Sequence, residues 1–247
     1  MRKEIVIGPI IMLVIWGILT LGGYINPLLL PNPIDVAKNL WGLLSTGVVF
    51  HDLGLTIYRT LAGYAFAALI GIPLGLFVGY ARKVYYSFEF VIDFFRSMPS
   101  PVLVPVAMLF FGLGDASKIA IITFTCGLIN LINSMYGVTQ CKKVRVMVAK
   151  TMRAKPVQIF RHVVFPEALP RVFVGLRLTL SLALILAVVT EMFTGTTNGL
   201  GRRIYDAHDT YNIGEMYACI VLIGLLGYTL NKVFIGIENK IVHWNRS

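Results

Sequence analysis

The side chains that could do chemistry in this 247-residue chain are few and scattered. The four histidines stand at 51, 162, 208 and 243, with no HExxH pair and no acids at metal-ligand spacing. Cys126, Cys141 and Cys219 are odd in number and far apart, so they read as structural thiols, neither a disulfide framework nor a zinc site. No GxxxxGK loop ending in Ser or Thr is present, so the chain is not expected to bind ATP itself. These residues predict no catalytic, metal or cofactor site. What remains are ionisable and amide side chains in apolar surroundings, where each is costly and therefore a functional hypothesis. Asp93 and Arg96 are three apart and can pair along a helix; with Glu89 they either anchor the end of an apolar segment or border a polar route. Asn130 and Asn133, with Thr123, Thr125 and Ser134, can bond neighbouring helices or line that route. Glu191 closes an apolar run and is either a functional acid or one solvated at the boundary. Tyr205, Asp206, His208 and Asp209 read as a solvated loop.

The elements that must position these residues follow from composition. The chain is 57% hydrophobic and only 14% charged, against roughly 25% charged in ordinary soluble domains. Its mean hydropathy is +0.76. This predicts an all-α membrane protein of about six transmembrane helices, over residues 5–21, 60–80, 88–111, 119–138, 172–193 and 216–237. Arg2 and Lys3 before the first run also suit a signal peptide, but no small-residue cleavage site follows, so residues 1–24 are read as a retained anchor helix. The net charge of +10 is not spread as a nucleic-acid surface would be. With the N-terminus inside, 16 of the 22 Lys and Arg fall on cytoplasmic segments, and only Lys38, Lys118, Arg202 and Arg203 fall outside. Both termini are therefore expected in the cytoplasm. Residues 31–51 read as an external amphipathic segment, with Trp41 at headgroup level.

Two spans carry local signals. Gly71, Gly75 and Gly79 recur every four residues and predict a seam where a neighbouring helix packs closely, with Pro73 beside it. Pro99, Pro101 and Pro105 cannot all sit in one regular helix. Broken backbone at membrane depth is tolerated only inside protein or against a water-filled cavity, so this span is a candidate wall of a permeation path. Between spans lies a basic, half-polar stretch from Lys142 to Arg177 that reads as a docking surface for a partner.

Several segments then resemble a known family in order and spacing: PNPIDV near the start, IGIPLGLFVGYARK at 70–83, FFRSMPSPVLVP at 94–105, LFFGLGDASKI at 109–119, the long run 163–192 and NGLGRRI at 198–204. From about Pro31 onward the chain resembles the permease subunit of a type I ABC importer, within it the nitrate, sulfonate, bicarbonate and taurine permeases. The resemblance implies a transmembrane domain over 52–241 in a prokaryotic inner membrane, with a cytoplasmic coupling helix in segment 142–171. It implies two ABC ATPase subunits that bind ATP and Mg, an extracytoplasmic substrate-binding protein, a second permease copy and the lipid bilayer as partners, and no nucleic acid. The family's EAA pattern places Met147, Val148 and Ala149 on its triplet and Arg153 on its turn glycine, two departures from the pattern. Lys150, Arg153, Lys155, Gln158, Phe160 and Arg161 are the residues expected to contact the ATPase, with an exposed Phe160 as anchor. Arg96, Pro99, Pro101, Pro105, Asn130, Asn133 and Glu191 are expected along the path.

The implied activity is alternating-access import of a small solute, an anion such as a sulfonate, nitrate or bicarbonate, for which Arg59 and Arg96 have the right charge. A pyrimidine vitamin precursor is the other substrate class. A secondary transporter would need an inverted pair of broken segments, which is not seen, and a scaffold would have no use for the proline-broken span.

Overall fold

The computed structural model describes residues 4–26 and 28–242. Arg2, Lys3, His243 and Arg246, used in the charge and histidine arguments, lie outside the described residues. Regular structure among the described residues is helical throughout.

The apolar helix α1 covers Glu4–Leu21. The amphipathic helix α2 covers Pro33–Thr46 and has clear sequence causes at both ends. The Asn32 side chain accepts from the Ile34 N–H at 2.9 Å, Pro33 occupies the first turn, and Gly47 stops the helix at a left-handed φ of 75°. Trp41 is exposed on α2.

The helix α3 runs over Val48–Tyr80 and begins twelve residues before the predicted span. The reason is a polar stripe: Asp52, Thr56, Arg59 and Thr60 recur on one helix face and are all buried, so a stretch that reads as loop by hydropathy is helix by packing. The predicted third span is two helices, α4 over Arg82–Ser97 and α5 over Val104–Phe111, joined through a 3-10 turn at Ser100–Leu103 and bent by 94°. Pro101 and Pro105 fall in the first turns of the elements that follow, where their missing N–H has no helical partner to lose.

The helix α6 covers Asp115–Thr139 and meets α3 along the glycine seam. A Cβ on Gly71 would collide with the Gly127 carbonyl, one on Gly75 with the Leu131 carbonyl, and one on Gly79 would lie 2.8 Å from the Met135 oxygen. The seam anticipated from the four-residue spacing is therefore real. The chain continues through α7 (Lys143–Thr151), α8 (Pro156–Ile159) and a wide π-type turn (Phe160–Val164) into α9 (Phe165–Phe193). Helix α10 covers Leu200–Asp209 and α11 covers Ile213–Ile241. Tyr205, Asp206, His208 and Asp209 thus belong to helix α10, where sequence suggested a loop.

Among the described residues, four helices are long and apolar enough to cross a bilayer: α3, α6, the continuous Pro156–Phe193 rod, and α11. The bent α4–α5 pair makes a fifth candidate, and α1 is apolar but shorter over Ile7–Leu21. The sequence predicts six spans; the described residues carry four of span length, five with the bent pair, and the first expected span is the shorter helix α1.

The chain divides into two compact units. One holds the residues up to Thr56 together with Glu191–Leu226. Its core gathers Val49, Leu200 and Leu222 with Leu43, Leu53 and Ile223. The other holds Ile57–Thr190 and the residues from Gly227 onward. Its interior is built around Ala67, Ile122, Cys126, Ala183 and Ala187, where the small alanines allow the helices to approach. A second cluster there unites Leu76, Val138, Ile159, Val164 and Ala168.

Candidate functional site

The basic segment owes its shape to how α7 ends. The Arg153 N–H donates to the Lys150 carbonyl at 2.9 Å and the Ala154 N–H to the Ala149 carbonyl at 3.1 Å. Those two bonds, with Arg153 at a φ of 57°, form a Schellman motif whose left-handed position is usually glycine. The predicted arginine-for-glycine departure therefore lies on the residue that needs positive φ, at a cost of roughly 1 kcal/mol relative to glycine. The chain then restarts as α8, where the Lys155 N–H donates to the Gln158 side-chain oxygen at 2.8 Å and Pro156 sits in the first turn.

Lys150, Arg153, Lys155, Gln158 and Arg161 are all exposed on this segment. Phe160 is not the exposed anchor that sequence suggested. Four residues before the buried Val164 it lies on the inward face, half-buried, its ring 5.5 Å from Tyr80 and 6.4 Å from Phe165. The exposed apolar residues are instead Val144, Met147, Val148, Met152 and Val157, the last two 78% and 75% exposed. An open recess of about 470 Å³ lies among Val144, Arg145, Val148, His162 and Glu167.

Glu167, in the first turn of α9, ties down the near end of the segment. It pairs with Arg145 at 3.2 Å, accepts from the Lys142 N–H at 3.2 Å and from the Cys141 thiol at 3.1 Å. Burial, reinforced by that carboxylate, pushes the Cys141 thiol up to about 11.

The sequence-selected path residues do not all share one environment. Pro99, Pro101 and Pro105 are exposed at the bend, and Arg96 pairs with Asp93 at 3.2 Å with both side chains exposed. Asn130 is 1% exposed, accepts from the Thr179 hydroxyl at 3.1 Å, and finds no hydrogen-bond partner for its amide nitrogen among the described residues. Asn133 is half-buried and donates to the Ile129 carbonyl within its own helix at 2.9 Å. Arg59 is buried and pairs with Asp115 at 2.8 Å, so both arginines suggested for an anion already have a carboxylate.

Glu191 is 0% exposed and so is not a boundary residue solvated by water. It belongs to a set that sequence reasoning does not assemble. Three consecutive N–H groups at the start of α10 are satisfied by side chains from other helices. Gly199 donates to Asp52 at 2.8 Å, Leu200 to the Thr56 hydroxyl at 3.0 Å, and Gly201 to Glu191 at 2.9 Å. The Thr56 hydroxyl in turn donates to Glu191 at 2.9 Å. Two carboxylates thus lie at the positive end of a helix dipole. Arg203, one turn on, grips Asp52 at 2.7 Å and Glu215 at 3.0 Å. Burial alone would lower its pKa, but these two carboxylates outweigh that and raise it above its ordinary value. The legible signals are the 52, 56, 59, 60 spacing and the glycines flanking Leu200, of which Gly199 has a φ of 129°.

The comparisons with known proteins agree with this architecture. The family model described as "Binding-protein-dependent transport system inner membrane component" matches residues 71–244. A putative ABC transporter permease of Methanocaldococcus jannaschii is 32% identical over 252 residues, covering 99% of this chain and 94% of its own length. A putative aliphatic sulfonates transport permease of Bacillus subtilis is 26% identical, covering 97% and 86%. A chain from an inward-facing structure of the MetNI methionine ABC transporter superposes with a TM-score of 0.69 at 22% identity, over 78% of this chain and 95% of that one, a likeness of fold. This chain belongs to the inner-membrane components of binding-protein-dependent transport systems and has the type I ABC importer permease fold.

Proposed function

We propose that the chain forms the solute path of an ATP-driven importer for a small anion of the sulfonate class, and that it is driven through the segment 142–171. The observation that carries this reading is mechanical. The exposed basic face at Lys155, Gln158 and Arg161 lies on the first turns of one continuous rod, Pro156–Phe193. A force applied to α8 by a partner therefore acts directly on a membrane span, with no flexible linker between. The rod is about 57 Å long, enough to cross the bilayer and project beyond it. On this reading the partners are two ATPase subunits that hold ATP and Mg, a second permease copy, and a binding protein that delivers solute on the far side. The bend at Pro99–Pro105 provides the non-helical backbone that a path wall requires. The sulfonate assignment draws on the named solute of the Bacillus relative. With Arg59 and Arg96 already paired, selection between anions falls to the binding protein.

The test is uptake of a labelled aliphatic sulfonate into proteoliposomes that hold the full chain, its ATPase and its binding protein. ATP-dependent accumulation is the expected result. Uptake driven by an ion gradient without ATP would replace this reading with a secondary transporter. ATP-dependent uptake of a pyrimidine precursor in place of the sulfonate would retain the coupling and overturn the anion.

A further inference from the structure

We infer that Arg153 is a partner-selecting residue, held in a left-handed turn so that its guanidinium meets a carboxylate of the ATPase. This rests on the docking role proposed for segment 142–171. The Schellman turn at the end of α7 requires positive φ at position 153 whatever residue stands there, because the Arg153 and Ala154 N–H groups close on Lys150 and Ala149. Glycine meets that demand without strain. The arginine side chain is exposed and makes no ion pair or side-chain hydrogen bond among the described residues, so its own contacts do not offset the strained backbone, although Ala149 and Ala154 beside it pack inward. Strain that persists without an internal return is the mark of a functional position.

The charge around it says what the side chain meets. From Lys142 to Pro166 there are seven Lys and Arg and no Asp or Glu; among the described residues Arg145 alone of these pairs with a carboxylate, that of Glu167. Met152 and Val157, near Arg153 in sequence, are exposed and add apolar surface to this basic segment. The complementary surface is an apolar groove rimmed by acids, and Arg is the cation best suited to a bidentate carboxylate contact of fixed direction. Anionic lipid headgroups would also attract this charge, but they are served by any mobile cation and need no fixed backbone at the turn.

The ATPase that co-purifies with the full wild-type chain, identified by its phosphate-binding loop, is purified and titrated against the full chain in nanodiscs. Arg153→Gly is compared with Arg153→Lys and wild type, in phosphatidylcholine discs and in discs containing phosphatidylglycerol. The expected result is that R153G unfolds at a temperature no lower than wild type yet binds the ATPase about tenfold or more weakly in both lipids. R153K should recover part of the affinity with a steeper salt dependence. Equal ATPase affinity for R153G and wild type would overturn the inference, and so would a defect seen only in phosphatidylglycerol discs, which would assign the side chain to lipid. If the wild-type chain itself binds no ATPase, the docking role fails, and that outcome is distinct from a failure of Arg153 alone.

Discussion

Helices α7 and α10 end in the same way and begin in opposite ways. Each closes in a Schellman motif with a non-glycine residue at positive φ, Arg153 after α7 and Tyr211 after α10. In the second case the Tyr211 N–H donates to the His208 carbonyl and the Asn212 N–H to that of Ala207. At their starts they diverge. The first three N–H groups around the α10 start are held by Asp52, Thr56 and Glu191, and Leu200 and Ile204 are buried. Helix α7 has no side-chain cap and no buried residue. The strained end of α10 is offset by bonds at its other end. That of α7 is offset only by the Glu167 contacts to Lys142 and Arg145 and by the inward packing of Val146 and Ala149.

The largest expected effect is at the clamp that Asp52, Thr56 and Glu191 form on the start of α10. Glu191→Ala should cost about 3 kcal/mol of stability, because it takes a charged acceptor from the buried Gly201 N–H and leaves the Thr56 hydroxyl only the Asp52 carbonyl. Asp52→Ala should cost a similar amount by removing a carboxylate from Arg203 and the Gly199 N–H. Thermal unfolding of the full chain in detergent reads both, and losses under about 1 kcal/mol would remove the contrast on which the comparison rests.

Next come the two left-handed residues. Tyr211→Gly should stabilise by about 1 kcal/mol, since the tyrosine is 86% exposed and its ring contributes little packing. A loss of stability would mean that the tyrosine packs more than its exposure indicates. A smaller effect is expected at Cys141. Glu167→Gln should speed maleimide labelling of Cys141 at pH 7 by removing the carboxylate that disfavours the thiolate, lowering a pKa now held at about 11. Unchanged labelling would show that burial alone protects the thiol. The smallest effect belongs to Lys150→Ala, which should leave stability within about 0.5 kcal/mol because the side chain is exposed. A larger loss would give α7 an internal role.

How far each feature can be read ahead of the structure depends on how it is written in the chain. The glycine seam of α3, the proline break before α5 and the arginine at the α7 turn are legible because each rests on one residue type with strict backbone or packing needs. The clamp is not, since Asp52, Thr56, Glu191 and Gly201 are more than a hundred residues apart in places and meet only in the fold. Hydropathy places the start of α3 too late for the same reason: a polar stripe facing inward looks like loop until its partners are known. Phe160 misleads because a phenylalanine among cations reads as exposed, whereas the helix phase fixed by Val164 turns it toward Tyr80.

The central claim is that the face of α8 drives the rod that follows it. Hydrolysis by the partner ATPase, in proteoliposomes with the full chain and solute-loaded binding protein, tests this most directly when the chain is wild type or carries Lys155→Ala, Gln158→Ala and Arg161→Ala together. The account predicts that the triple variant inserts as wild type does, is destabilised by no more than the roughly 1 kcal/mol of the Gln158 cap, and loses solute-stimulated hydrolysis. Stimulation equal to wild type in that variant would contradict it.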